Sequence, residues 1–172
     1  GGCGVADKIK LLMVDDEKDL TMIMKSNLEF GGKFDVVASN DPLNVEELVE
    51  KENPSVILLD VVMPQRKGNE IARALKQNPK TKEIPIIMVS GRGEMVYHKK
   101  QDTFKWEPNR PVVAERGELP EGRSAETLSE AYGVDDYIAK PFSTELLIQV
   151  IEDVLERKAQ HLKEQEGGSP DF

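Results

Sequence analysis

"LLMVDDEKDL", residues 11–20, joins an apolar run to two adjacent carboxylates, Asp15 and Asp16. The run from Leu11 to Val14 does not alternate with polar residues. That suits a strand covered on both faces, as in a parallel sheet. Ending such a strand on a pair of like charges is unfavourable: two unit charges about 4 Å apart repel by roughly 4 kcal/mol at an effective dielectric of about 20. Something of opposite charge has to sit where this strand stops.

The same grammar recurs along the chain. Apolar runs at Val56–Leu59, Ile86–Val89 and, more weakly, Tyr137–Ala139 read as further strands, as does Val36–Ala38 after Phe34. Helical patterns lie between them. Leu20, Ile23, Met24 and Leu28 share one helical face, and Gly31-Gly32 closes that segment. Pro42 reads as a first helical residue after Asp41, ahead of Leu48 and Val49. Ile71 and Leu75 mark a shorter helix that stops before Pro79. Ser143 reads as the N-cap of the last helix, followed by Leu146, Leu147, Val150, Ile151, Val154 and Leu155. Strand and helix alternate throughout, which predicts an α/β fold with a doubly wound parallel sheet of five strands.

In such sheets ligands bind beyond the carboxyl ends of the strands, where strand order reverses. The first strand delivers Asp15 and Asp16 to that rim, "VILLD" delivers Asp60, "IIMVS" Ser90, and "YIAKPF" Lys140. Three carboxylates with no His or Cys among them favour a hard divalent cation, Mg²⁺ or else Mn²⁺, over zinc. The cation answers the repulsion at Asp15-Asp16. Lys140 and Ser90 are then free to bind phosphoryl oxygens, and one carboxylate can attack phosphorus. Taken singly, each residue has an ordinary reading. Asp15 and Asp16 suit a turn and a helix cap, Pro64 and Gly68 a turn, and Lys140 a solvated surface. Four such coincidences at one edge make the weaker account.

Composition narrows the function classes. A chain of 172 residues holds one sizeable core. A net charge of −9 argues against nonspecific binding to nucleic acid or an anionic membrane. No apolar run reaches the roughly 20 residues that span a bilayer, and "GGCGVADKIK" lacks the pattern of a signal peptide. Cys3 is the only cysteine, so no internal disulfide forms and a reducing, cytoplasmic setting fits. His98 and His161 read as exposed, and the methionines at 13, 22, 24, 63 and 88 as core or loop packing.

Four segments, "VDDE", "LLDVVMPQRKG", "VSG" and "DDYIAKPF", occur in this order, each at a strand end. Together they make the chain, from about Lys8 to Leu155, resemble the receiver domain of two-component response regulators. The resemblance implies a flavodoxin-like sheet of order 2-1-3-4-5. It implies that Asp60 accepts a phosphoryl group from a histidine kinase or phosphotransfer protein. Asp16 would be a direct metal ligand, Asp15 would act mainly through water, and the backbone carbonyl of Val62 would complete the protein ligands. Ser90 would hydrogen-bond the phosphoryl group, Lys140 would pair with it, and Tyr137 would change rotamer on activation. Gly91 fits the small residue beside the phosphoryl group.

The resemblance also implies an unidentified downstream protein or output domain, and leaves open a dimer through the fourth helix, fifth strand and fifth helix. Lys67 departs from the acidic or polar residue common after the acceptor. Val62 and Arg92 occupy positions that tune acyl-phosphate hydrolysis, and an apolar Val62 implies slow self-dephosphorylation. The rival reading is an Mg²⁺-dependent phosphatase of haloacid dehalogenase type. That family usually has a second aspartate where this chain has Val62.

Residues 1–7 read as a flexible start, 8–157 as the receiver and 158–172 as a helix extension with a disordered tail. Ser90 and Lys140 are 50 residues apart (140 minus 90), beyond the usual spacing. The excess, about 92–123, precedes a short helix expected to end at Tyr132-Gly133. Within it, Phe104 and Trp106 alternate with polar residues, then come Pro108-Asn109 and Val112-Val113. These predict a small hairpin turning at Pro108-Asn109.

Overall fold

The computed structural model describes residues 7–90, 93–98, 103–108, 133–140 and 142–167. Its elements are β1 (Ile9–Val14), α1 (Lys18–Phe30), β2 (Phe34–Ser39), α2 (Val45–Glu52), β3 (Val56–Asp60), α3 (Gly68–Gln77), β4 (Ile86–Ser90), β5 (Gly93–His98), β6 (Thr103–Pro108), β7 (Asp136–Ala139) and α4 (Thr144–Gly167). Five strands form one parallel sheet in the order β2-β1-β3-β4-β7, the expected 2-1-3-4-5 arrangement.

Alternation along β1 explains the double winding. Leu11 and Met13 face one cluster with Met24, Leu28, Leu147, Val150 and Ile151 of α1 and α4. Leu12 and Val14 face the other, with Val45, Val49, Ile71 and Leu75 of α2 and α3. A strand apolar on both faces needs a helical layer on each. The edge strand β2 is instead half solvated, with Phe34 and Val36 buried and Asp35 exposed.

The helices differ from expectation in two places. On α1 the buried positions are Thr21, Met24 and Leu28, while Ile23 is exposed. Ile23 lies about 100° round the helix from Met24, which carries it off the packed stripe. Helix α2 starts at Val45 rather than Pro42. Asp41 accepts hydrogen bonds from the Leu43 N–H at 2.9 Å and the Asn44 side-chain amide at 2.8 Å, so residues 41–44 form a turn first. The Ser143 cap is present, its Oγ accepting the Leu146 N–H at 3.1 Å.

The excess segment does contain a hairpin, but in another register. Thr103–Pro108 pairs antiparallel with the upstream Gly93–His98, placing Met95 opposite Trp106 and Tyr97 opposite Phe104. Pro108 therefore ends a paired strand, opposite Gly93, and the strands are not paired about Pro108-Asn109; residues 99–102 between them lie outside the described residues. Val112, Val113 and the expected helix before Gly133 lie outside the described residues. After the excess segment the chain is received at the opposite sheet edge. Asp135 accepts the Ile86 N–H at 2.8 Å, and Lys76 Nζ donates to the Ile84 carbonyl at 2.9 Å and lies 3.4 Å from Asp135.

Gly68 fixes the loop after Asp60. Its N–H donates to the Val61 carbonyl at 2.9 Å, and a Cβ there would stand 2.1 Å from the Asp60 carbonyl oxygen. Backbone approaches backbone here, and only glycine fits. Gly68→Ala is expected to lower stability by about 3 kcal/mol, the upper end for an overpacked site, in urea denaturation. Gly31→Ala, where a Cβ meets nothing within 4 Å, is the control expected to stay near neutral.

Candidate functional site

The ends of β1, β3, β4 and β7 meet at one rim. Asp15 follows β1, Asp60 closes β3, Ser90 closes β4 in register with Ala139, and Lys140 follows β7. Carboxylate oxygens of Asp15, Asp16 and Asp60 lie within 4.8 Å of one another. Asp15 and Asp60 are buried, and Asp16 is nearer solvent.

Lys140 is the first answer to their repulsion. Its Nζ donates to Asp15 Oδ2 at 2.7 Å and lies 3.7 Å from Asp60 Oδ2 and 3.6 Å from Glu17 Oε1. Burial works against the ammonium charge. The hydrogen bond to Asp15 and the charges of Asp60, Asp15 and Glu17 outweigh it and raise the Lys140 pKa. Lys140 is thus committed to the carboxylates before any phosphoryl group arrives. Sequence reasoning gave it only the phosphoryl role.

One ammonium does not balance three carboxylates. Three negative charges and one positive leave −2 among Asp15, Asp16, Asp60 and Lys140. Asp60 shows the consequence. Burial first, then the Asp15 charge, pushes its carboxyl up to about 7; Asp16 adds to this, while Lys140 and a hydrogen bond from the Val62 backbone pull against it. Clustered oxygen donors with uncompensated charge fit a divalent cation, which takes carboxylate oxygens and tolerates few protein ligands. Asp15 contributes least freedom, since its Oδ1 already accepts the Glu17 N–H at 2.9 Å.

The Val62 side chain is exposed in the loop after Asp60. Tyr137 is partly buried against the α2–α3 cluster. His161 is exposed on α4, and Met22 is exposed on α1 rather than packed. Ser90 is described through its backbone, while Gly91 and Arg92 lie outside the described residues. Sequence reading missed three supports. Asn40 donates to the Asp15 carbonyl, Thr21 accepts from Asn40, and Arg66 makes a two-pronged pair with Glu46 at 2.7 and 2.5 Å. The last holds the loop after Asp60 against α2. Position offered one signal for Asn40: it follows a strand at the same rim.

A sequence model of the response regulator receiver domain matches residues 11–103, more than half of the chain. The chain belongs to the response regulator receiver family. The receiver is 29% identical over 149 residues to the phosphate regulon transcriptional regulatory protein PhoB of Rhizobium meliloti, covering 86% of this chain and 52% of that protein. It is also 29% identical over 163 residues to the transcriptional regulatory protein CpxR of Escherichia coli, covering 94% of this chain and 56% of that protein. The receiver thus spans about half the length of these relatives. Among solved structures, Vibrio cholerae chemotaxis protein CheY4 superposes with TM-score 0.63 at 24% identity, covering 86% of this chain and 99% of that one. A CheY-like receiver domain protein from Methanospirillum hungatei superposes with TM-score 0.64 at 21% identity, covering 90% and 99%. These likenesses carry the fold, and the family match makes the chain a signalling switch in class rather than a haloacid dehalogenase phosphatase.

The raised Asp60 pKa sets a pH dependence for the metal-free receiver. The folded state keeps the Asp60 proton up to about 7, whereas the unfolded chain releases it near 3.8. Stability therefore falls as pH rises between those values and stays low above them. At about 1.36 kcal/mol per pKa unit the loss reaches at most about 4 kcal/mol. Asp60→Asn is expected to raise the urea midpoint of metal-free protein strongly at pH 8 and little at pH 4.

Proposed function

We propose that this receiver takes a phosphoryl group from the phosphohistidine of a histidine kinase or phosphotransfer protein onto Asp60. The observation that carries this reading is the buried Asp60 carboxylate, held between Asp15, Asp16 and Lys140 at the rim where a parallel sheet receives ligands. Asp16 and Asp60, with Asp15 and the Val62 carbonyl in support, would hold a divalent cation, Mg²⁺ or alternatively Mn²⁺, which would supply the positive charge that favours an ionised Asp60 and offsets the charge of a phosphoryl group.

The chemistry of the chain's own groups follows. An Asp60 carboxylate oxygen bonds to phosphorus as the P–N bond of the donor breaks. The electron pair stays on the imidazole nitrogen, which takes up a proton. Lys140 stands 3.7 Å from Asp60, so it reaches the transferred group by leaving Asp15. The Ser90 hydroxyl offers the phosphoryl group a hydrogen bond. Tyr137 then repacks and shifts a pre-existing equilibrium of the surface near β7 and α4. Acyl-phosphate hydrolysis is slow, since the exposed Val62 side chain has no polar group to orient water. Small donors such as acetyl phosphate serve the same nucleophile. In cytoplasmic signalling the output is a separate protein or a domain beyond α4. The net charge of −9 disfavours direct binding to nucleic acid or an anionic membrane, and a dimer through the last strand and helix fits the same activated surface.

Incubation with acetyl phosphate and Mg²⁺, read by intact mass, is expected to add one phosphoryl group to the wild-type chain and none to Asp60→Asn. A label that persists in the variant and maps to Ser90 contradicts the assignment. Asp16→Ala is expected to weaken Mg²⁺ binding sharply in calorimetric titration, and unchanged affinity contradicts the metal site. The hairpin starts three residues after Ser90, so beryllofluoride with Mg²⁺ is expected to change the fluorescence of Trp106, the single tryptophan. A silent Trp106 argues against coupling between hairpin and site.

A further inference from the structure

Asp15 is engaged through each of its polar groups. Its N–H donates to the Ser39 carbonyl at 3.1 Å, Oδ1 accepts from Glu17 and Oδ2 from Lys140. Its carbonyl accepts from Asn40 Nδ2 at 2.7 Å. A backbone carbonyl only accepts, so the group facing it is the amide NH₂ of Asn40. That NH₂ also donates to Thr21 Oγ1 at 3.0 Å, which uses both of its protons. Thr21 is buried, and its hydroxyl donates to the Lys18 carbonyl at 2.9 Å. One side chain thus joins the end of β2, the turn at residues 15–17 and the first turn of α1.

The Asp15 carbonyl belongs to the peptide whose nitrogen is that of Asp16. Peptide groups are planar, so fixing the carbonyl direction fixes that whole plane and the placement of the Asp16 Cα. We propose that Asn40 is a positioning residue of the acidic site: its amide holds the Asp15–Asp16 peptide so that the Asp16 carboxylate meets a divalent cation shared with Asp60. This rests on the metal-dependent phosphoacceptor reading above. Asn40 spends both amide protons on the Asp15 carbonyl and Thr21. It acts through Asp16, as residues that orient metal ligands do.

The test compares the wild-type receiver, Asn40→Ala and Asp60→Asn by Mg²⁺ titration calorimetry, and by phosphoryl uptake from acetyl phosphate across a Mg²⁺ series. Asn40→Ala is expected to weaken Mg²⁺ binding by about tenfold or more, the scale for partners that orient ligands. Uptake is expected to be slow at low Mg²⁺ and to recover at saturating Mg²⁺. A residue that only holds the fold shifts the denaturation midpoint and leaves the metal affinity of the folded protein alone. Mg²⁺ affinity within twofold of wild type, or a rate lowered equally at every Mg²⁺ concentration, overturns the assignment. Should Asn40→Ala fail to fold, Asn40→Gln, which keeps the amide but displaces it by one methylene, is read the same way. If wild type binds no Mg²⁺, or Asp60→Asn is labelled as readily as wild type, the phosphoacceptor reading falls and this one with it.

Discussion

The Lys140 ammonium, 2.7 Å from Asp15 and 3.7 Å from Asp60, is the contact on which the rim depends. It joins the last sheet strand to the first and third, across residues that share no sequence neighbourhood. Without it three carboxylates would face one another in a site where two are buried. An unpaired buried charge is among the least favourable arrangements a fold can contain. The ammonium is kept charged by the same carboxylates that it restrains, so each side of the pair maintains the other. The residual −2 is what makes the site receptive to a cation instead of merely stable without one.

The rest of the architecture holds those charges at a fixed spacing. Apolar residues on both faces of β1 and β3 lock the central strands between α1 and α4 on one side and α2 and α3 on the other. The strand ends inherit that rigidity. The loops that follow are held by backbone and side-chain contacts together. Gly68 closes against the Asp60 carbonyl, the Arg66–Glu46 pair ties the same loop to α2, and Asn40 ties the turn after β1 to the end of β2. Tight placement of the loops is what lets like charges approach within 4.8 Å.

The hairpin of β5 and β6 interrupts this frame without altering it. It leaves β4 just past Ser90, and β7 still pairs with β4 in parallel from Ile87 to Ser90. Lys76 and Asp135 explain how the sheet recovers its register. They seat the returning chain on the first residue of β4, at the edge opposite the carboxylates.

Much of this was legible in the sequence because it rests on local rules. Continuous apolar runs such as Leu11–Val14 announce strands buried on both faces, and an aspartate, serine or lysine at each run's end announces the rim. The sequence therefore determined the strands, the alternation with helices, the sheet class and the identities of the converging residues. Side-chain geometry and partner choice were decided only by the tertiary structure. Ile23 sits off its stripe by one helical step, and Asp41 opens a turn where Pro42 suggested a helix. The hairpin's register came from strand pairing that the local Pro-Asn signal did not reveal. Lys140 against Asp15, Gly68 against the Asp60 carbonyl and Asn40 against the Asp15 carbonyl join residues 125, 8 and 25 positions apart. No local pattern encodes such meetings: they exist only once the sheet has brought its strand ends to one edge, where packing and charge fix the distances.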